Sequence, residues 1–183
     1  FSKIKNFHQY DPKISIYGND IIFFDNKGSI LRFNNDTDLV WKRNNYIKSE
    51  KKQNPILFFA NNKKTLIVAD NISKYYALNI NTGEILWSKN NVAPFNSEIK
   101  IYKDKFFVID FENVLRAYSV SNGNEIWNVR TTNLLIRSQK SLSMVIIKDK
   151  IYFNNSSGDI SSVDIQTGEL LWQTPTQSSL VYG

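Results

Sequence analysis

Four tryptophans, Trp41, Trp87, Trp127 and Trp172, recur along the chain at intervals of 46, 40 and 45 residues. A period of that size marks a supersecondary unit repeated in tandem, because one unit of forty-odd residues cannot bury its own apolar face. The residues ahead of each tryptophan repeat with it. Ala77–Trp87 aligns without gaps on Ala117–Trp127 and again on Ser162–Trp172. The first copy, Leu31–Trp41, is degenerate, and counting back from Trp41 puts Thr37 where the others carry Gly83, Gly123 and Gly168. Those glycines fall in a tight turn that calls for a positive φ.

Each unit holds four short runs rich in β-branched and aromatic residues, separated by Asn, Asp, Gly and Lys. In the third unit these are Ile99–Tyr102, Phe106–Asp110, Val114–Ser119 and Glu125–Val129; in the fourth, Met144–Ile147, Ile151–Asn154, Ile160–Asp164 and Leu170–Gln173. Runs of this composition between turn residues, with no stretch of helical periodicity, predict strands joined as consecutive hairpins. Four-stranded antiparallel units in tandem predict an all-β chain built as blades of a β-propeller. The expected blades run over roughly 11–43, 54–89, 97–130 and 141–174, within one partial propeller domain spanning 1–183. The tryptophans are expected to dock on the neighbouring blade.

Chemistry-bearing residues are sparse. The absence of cysteine excludes disulfides, thiolate metal sites and a cysteine nucleophile within this sequence. His8 is the single histidine and has no companions to make a metal site or a triad. The net charge of +6 comes from 18 lysines and 5 arginines scattered among turns, beside 23 asparagines. Nucleic-acid binding would concentrate basic residues, arginine above all, on one stripe. No apolar run approaches the ~20 residues of a membrane-spanning helix. Asp25, Asp70, Asp110 and Asn155 recur at the end of each second strand. They are read as turn formers, because equivalent positions of separate blades lie too far apart to share one cation. The expectation is therefore no catalytic residue, no metal and no cofactor. A chain opening on Phe1 without a leader reads as a mature or excised piece.

The pattern Ala-x-Asp-x-x-x-Gly-x-x-x-Trp resembles the tryptophan-docking motif of the pyrroloquinoline-quinone (PQQ) repeat propellers. Asn79 and Ser119 replace its aspartate, whereas Ser162–Trp172 keeps Asp164. Propellers of this superfamily usually carry about eight blades, so four imply part of a larger ring. Its quinone-dependent dehydrogenases hold their cofactor over adjacent cysteines, which this chain lacks. Leu134-Leu135-Ile136-Arg137-Ser138, between the third and fourth units, resembles the Leu-x-Leu-Arg segment of the BamB family, lipoprotein propellers of outer-membrane β-barrel assembly. That resemblance implies a periplasmic, non-catalytic scaffold peripheral to the outer membrane. Leu134, Ile136 and Arg137 would contact the machinery's central barrel protein. The alternatives are a fragment of a quinoprotein dehydrogenase and a ligand-sensing or adhesion propeller. The Val92–Phe95 connection is expected on the same face, extending an apolar patch.

Overall fold

The computed structural model describes residues 14–25, 27–131 and 141–174. Four sheets of four strands follow one another in sequence order, each an antiparallel meander. Blade 1 comprises β1 (Ile14–Tyr17), β2 (Asp20–Phe24), β3 (Ser29–Phe33) and β4 (Leu39–Asn44). A single helical turn, α1 (Lys48–Lys51), leads into blade 2, made of β5 (Leu57–Asn61), β6 (Thr65–Asp70), β7 (Lys74–Asn79) and β8 (Ile85–Asn90). Blade 3 holds β9 (Lys100–Tyr102), β10 (Lys105–Ile109), β11 (Val114–Ser119) and β12 (Glu125–Arg130). Blade 4 holds β13 (Met144–Ile147), β14 (Lys150–Asn154), β15 (Ile160–Asp164) and β16 (Leu170–Thr174). The described chain is thus an all-β run of four propeller blades.

β1 touches β5, β5 touches β9, and β9 touches β13, so the first strands form the inner edge and the fourth strands the outer one. The core lies between blades. Ile22, Ile30 and Trp41 of blade 1 close on Leu66, Val68, Tyr76 and Ile80 of blade 2. Ile67, Ala77 and Tyr75 of blade 2 meet Phe106, Val108 and Tyr118 of blade 3. Phe107, Leu115 and Ala117 of blade 3 meet Ile151, Phe153 and Val163 of blade 4. Strand alternation puts one set of side chains on each face of a blade, so interior blades bury both faces of their middle strands. All six residues of β6 are buried for that reason.

Each interface has the same fastening. A bulge in the third–fourth strand pairing sets Trp87 opposite Ala77 and Trp127 opposite Ala117. The small alanine leaves room for the indole to lean over the next blade. The Trp87 indole N–H donates to the Val120 carbonyl at 3.0 Å, and that of Trp41 donates to the Ile80 carbonyl at 3.0 Å. The Trp127 N–H is buried without an acceptor, making the third fastening the looser one. The indole of each lies on the glycine of the next blade's turn. A Cβ built on Gly83 would come within 2.8 Å of Trp41, one on Gly123 within 2.6 Å of Trp87, and one on Gly168 within 2.7 Å of Trp127.

The degenerate first copy departs from the count along the sequence. Arg32, not Leu31, stands opposite Trp41. The turn closes from Asn34 to Asp38, against Asn79 to Glu84 in blade 2, and is one residue shorter. Thr37 does adopt the glycine's conformation, with φ of 68°. Arg32 compensates for the lost alanine by donating from Nη1 to the same Ile80 carbonyl at 2.8 Å while its Nε binds Asp20 at 2.6 Å.

Two glycine substitutions separate turn strain from docking. Gly18 has φ +60° and open space around it, whereas Gly123 has φ +69° and the Trp87 ring against it. Gly18→Ala is expected to cost about 1–2 kcal/mol of unfolding free energy, the left-handed strain alone. Gly123→Ala adds overpacking of about 1–3 kcal/mol. Urea denaturation of both variants checks the difference; equal losses would show that the ring contact contributes nothing.

Candidate partner-docking face

The second–third strand turns of all four blades open with a carboxylate or carboxamide folded back on its own turn. Oδ1 of Asp70 accepts from the N–H groups of Ile72 and Lys74 at 2.9 and 2.8 Å. Oδ1 of Asp110 accepts from Glu112 and Val114 at 2.9 and 3.1 Å. Asp25 holds Lys27 and Ser29, and Asn155 holds Ser157 and Asp159, in the same way. The second oxygens are also engaged by protein. The Tyr46 hydroxyl donates to Asp70 Oδ2 at 2.6 Å, and Arg116 Nε donates to Asp110 Oδ2 at 2.8 Å while its Nη1 reaches Glu125 at 2.7 Å. These residues shape turns, and among the described residues no group of three or more His, Cys, Asp or Glu side chains could hold a metal ion.

The connections between blades are laced to the same turns. The Phe95 N–H binds the Asp70 carbonyl at 3.0 Å, and the Asn96 N–H binds that of Ile109 at 2.9 Å. Asn96 in turn accepts from the Leu142 N–H at 2.7 Å, and Ser97 Oγ accepts from the Ile109 N–H at 2.8 Å. One segment, residues 95–97, therefore ties blades 2, 3 and 4. It lies on the face of the second–third strand turns, as the sequence predicts. The apolar patch expected of Val92–Phe95 does not form. Val92 is exposed, but Ala93 and Phe95 are buried, Phe95 with its ring 5.7 Å from that of Tyr75. This connection covers the interface between blades instead of offering a surface.

Leu134, Ile136 and Arg137 lie outside the described residues, as does His8. The residues on either side of that connection are firmly held. Thr131 is fully buried, its Oγ1 donating to the Asn113 carbonyl at 3.3 Å and accepting from Asn155 Nδ2 at 3.4 Å. Leu142 is buried and bonded to Asn96. Thr131 sits between the turns of blades 3 and 4, and Leu142 sits against the 95–97 segment, both on the laced face. Of the four tryptophans, Trp41, Trp87 and Trp127 dock as the repeat predicts, on Gly83, Gly123 and Gly168. Trp172 has no docking turn among the described residues and remains 44% exposed.

The sequence reading missed one element of the fastening. Ile80, Val120 and Ile165 each stand seven residues before a tryptophan. Their N–H groups bond to Lys64, Asp104 and Asp149 in the first–second strand turn of their own blade. Their side chains join the core shared with the preceding blade. An aliphatic residue at that fixed offset was the available signal.

Tandem four-stranded blades fastened by an outer-strand tryptophan over the next blade's glycine turn define a tryptophan-docking β-propeller of the PQQ-repeat class. Within that class, the chain belongs to the family of the outer membrane protein assembly factor BamB, whose family model matches residues 26–180. It is 27% identical over 122 residues to the BamB of Kangiella koreensis, covering 60% of this chain and 28% of that protein. Against the BamB of Shewanella oneidensis it is 26% identical over 102 residues, covering 55% of this chain and 25% of the relative. The chain thus spans about a quarter of the curated relatives it matches. The crystal structure of BamB from Moraxella catarrhalis superposes on 88% of this chain and half of its own, with a TM-score of 0.64 at 17% identity. The computationally designed Ika4 protein shares the fold too, with a TM-score of 0.67 at 12% identity, over 87% of this chain and 94% of its own.

Burial raises the Asp70 carboxyl above the ordinary carboxylate range, against the pull of its hydrogen bonds from Tyr46 and the turn. Burial likewise pushes the Tyr46 and Tyr76 hydroxyls upward, keeping both neutral. A carboxyl whose folded pKa exceeds its unfolded one contributes stability below the unfolded value, and that contribution is lost as pH rises through the folded one. Asn155 shows that an amide can form the same turn. Asp70→Asn is therefore expected to fold, and to gain stability relative to wild type as pH rises above about 4. Thermal melts between pH 3 and 8 check this; a variant that loses ground as pH rises would contradict it.

Proposed function

We propose that the chain is part of a periplasmic, non-catalytic scaffold that assists the assembly of outer-membrane β-barrel proteins. It docks on the central barrel protein of the assembly machinery through Leu134, Ile136 and Arg137. The observation that carries this reading is the family match running through all four blades, across residues 26–180. The held flanks support it: a connection emerging between buried Thr131 and buried Leu142 has fixed ends on a rigid scaffold, the arrangement in which loops take on binding. Leu134 and Ile136 supply apolar contact area, and Arg137 makes a charge-assisted bond to a carboxylate of the partner. No helix of the described residues is long and apolar enough to cross a membrane.

The expected result for Arg137→Glu is a loss of partner binding of about 2 kcal/mol or more with an unchanged melting temperature. Surface-binding measurements with the periplasmic domains of the barrel protein provide the test, with melting curves alongside. Equal binding by wild type and variant would remove the assignment.

A further inference from the structure

The sequence holds a single Asn-Gly pair, Asn122-Gly123, and the fold places it in the turn of blade 3 that receives Trp87. The other two docking glycines follow threonine, in Thr82-Gly83 and Thr167-Gly168. Asparagine and threonine make the same turn bond there. Asn122 Oδ1 accepts from the Asn124 N–H at 2.9 Å, as Thr82 Oγ1 accepts from Glu84 at 3.3 Å and Thr167 Oγ1 from Glu169 at 3.2 Å. Their chemistry differs. A carboxamide so near the main chain can react with the amide nitrogen that follows it, and a hydroxyl has no leaving nitrogen to give.

The reaction needs only water and hydroxide. The Gly123 nitrogen, deprotonated by hydroxide, attacks Cγ of Asn122 and forms a new carbon–nitrogen bond, and the side-chain nitrogen leaves as ammonia. Water then opens the cyclic imide at either carbonyl, leaving aspartate or isoaspartate. Glycine favours the attack, because no Cβ crowds the nitrogen or limits its rotation. Asn122 is exposed, so solvent reaches the reacting carbon.

The docked interface opposes the attack. Within the turn, the Gly123 N–H donates to the Ser119 carbonyl at 2.8 Å. Blade 2 supplies the other restraints. The Tyr75 hydroxyl donates to the Gly123 carbonyl at 3.1 Å in a buried bond, and the Trp87 ring packs where a Cβ on Gly123 would stand, 2.6 Å from it. To bring its nitrogen onto Cγ, the peptide between Asn122 and Gly123 must rotate and carry the glycine with it. The ring and the hydroxyl both resist that movement. The tyrosine belongs to this interface alone among the three formed here. The residues equivalent to it, two before the partner of each tryptophan, are Ile30 in blade 1 and Leu115 in blade 3, whose side chains have no donor. The docking turn that can react is thus the one whose glycine carbonyl is clamped by the preceding blade.

We propose that Asn122 is a site of spontaneous deamidation whose rate is set by the docking of blade 2 on blade 3. Isoaspartate inserts an extra main-chain carbon ahead of Gly123 and moves the glycine from under the indole. Either product puts a negative charge in the turn where Lys89 bonds Asn124. Modification therefore loosens the contact that had restrained it. This inference involves neither the Leu134–Arg137 connection nor a partner, and it stands independently of the proposed function.

The test follows deamidation by peptide mapping in mildly alkaline buffer, for the folded chain, the chain in urea, and the variants Tyr75→Phe, Trp87→Leu and Asn122→Thr. The folded chain is expected to react at Asn122 ahead of its other asparagines, yet about tenfold or more slowly than the chain in urea. Tyr75→Phe, which removes only the hydroxyl, is expected to speed the folded reaction about threefold or more, and Trp87→Leu to speed it further. Asn122→Thr, with the residue of the two other turns, should keep its melting temperature through an incubation that lowers that of the wild type. Equal rates in wild type and Tyr75→Phe, both folded by circular dichroism, would overturn the inference. So would a folded chain that reacts as fast as in urea, one that reacts first at other asparagines, or a modified chain that melts where the unmodified one does. Should Trp87→Leu fail to fold, the milder Tyr75→Phe decides.

Discussion

The contact on which the rest of the structure depends is an indole lying against a glycine. A four-stranded meander cannot bury two faces alone, and three or more units must stack before a core exists. Blade-to-blade packing fixes the depth of that core through side chains such as Ile67, Phe106 and Phe107. Angle and register are fixed by the tryptophan. It reaches from the outer strand of one blade to the third–fourth strand turn of the next, and Trp41 and Trp87 each hydrogen-bond a carbonyl there. The glycine serves two needs at one position: it adopts the left-handed turn, and it leaves the space the ring occupies. Neither need alone would demand glycine at every copy, as Thr37 shows by taking the same φ where no described indole presses on it.

The opposite face is organised by polar groups under the same economy of burial. Asp70 and Asp110 are fully buried carboxylates, and each is satisfied by two backbone N–H groups and one side-chain donor. Burying a charge is costly unless it is paired and hydrogen-bonded. Those turns in turn receive the connecting segments, so that Phe95–Ser97 holds three successive blades together. A connection leaving such a face starts and ends at fixed points. The result is a rigid frame from which loops can present binding groups.

Much of this was legible in the residues. The tryptophan interval, the glycine four residues before each complete copy's tryptophan and the β-branched and aromatic runs between turn residues gave blade number, strand order and fastening. What was not legible has physical causes. The shortened turn of blade 1 is hidden because the tryptophan and Thr37 keep their spacing, while the missing residue falls on the other side of the turn, moving Arg32 opposite Trp41. The role of Ile80, Val120 and Ile165 was obscured because an aliphatic residue beside a strand end looks like any other core position. The Val92–Phe95 connection misled for a related reason: apolar character alone does not say whether a loop faces solvent or folds back under itself, and Phe95 folds back. The proposed partner contact at Leu134, Ile136 and Arg137 rests on resemblance, because no local physical rule distinguishes a binding loop from a covering one.

The central claim, that the glycine is required by its neighbour's tryptophan and not only by its own turn, is tested most directly by a double-mutant cycle on Trp87 and Gly123. The Cβ that clashes with Trp87 in Gly123→Ala should find room once Trp87 is replaced by leucine. Unfolding free energies of Trp87→Leu, Gly123→Ala and the double variant would then depart from additivity by about 1 kcal/mol or more, with the second substitution costing less in the presence of the first. Additivity within about 0.5 kcal/mol would contradict the account, showing that glycine answers to the turn alone.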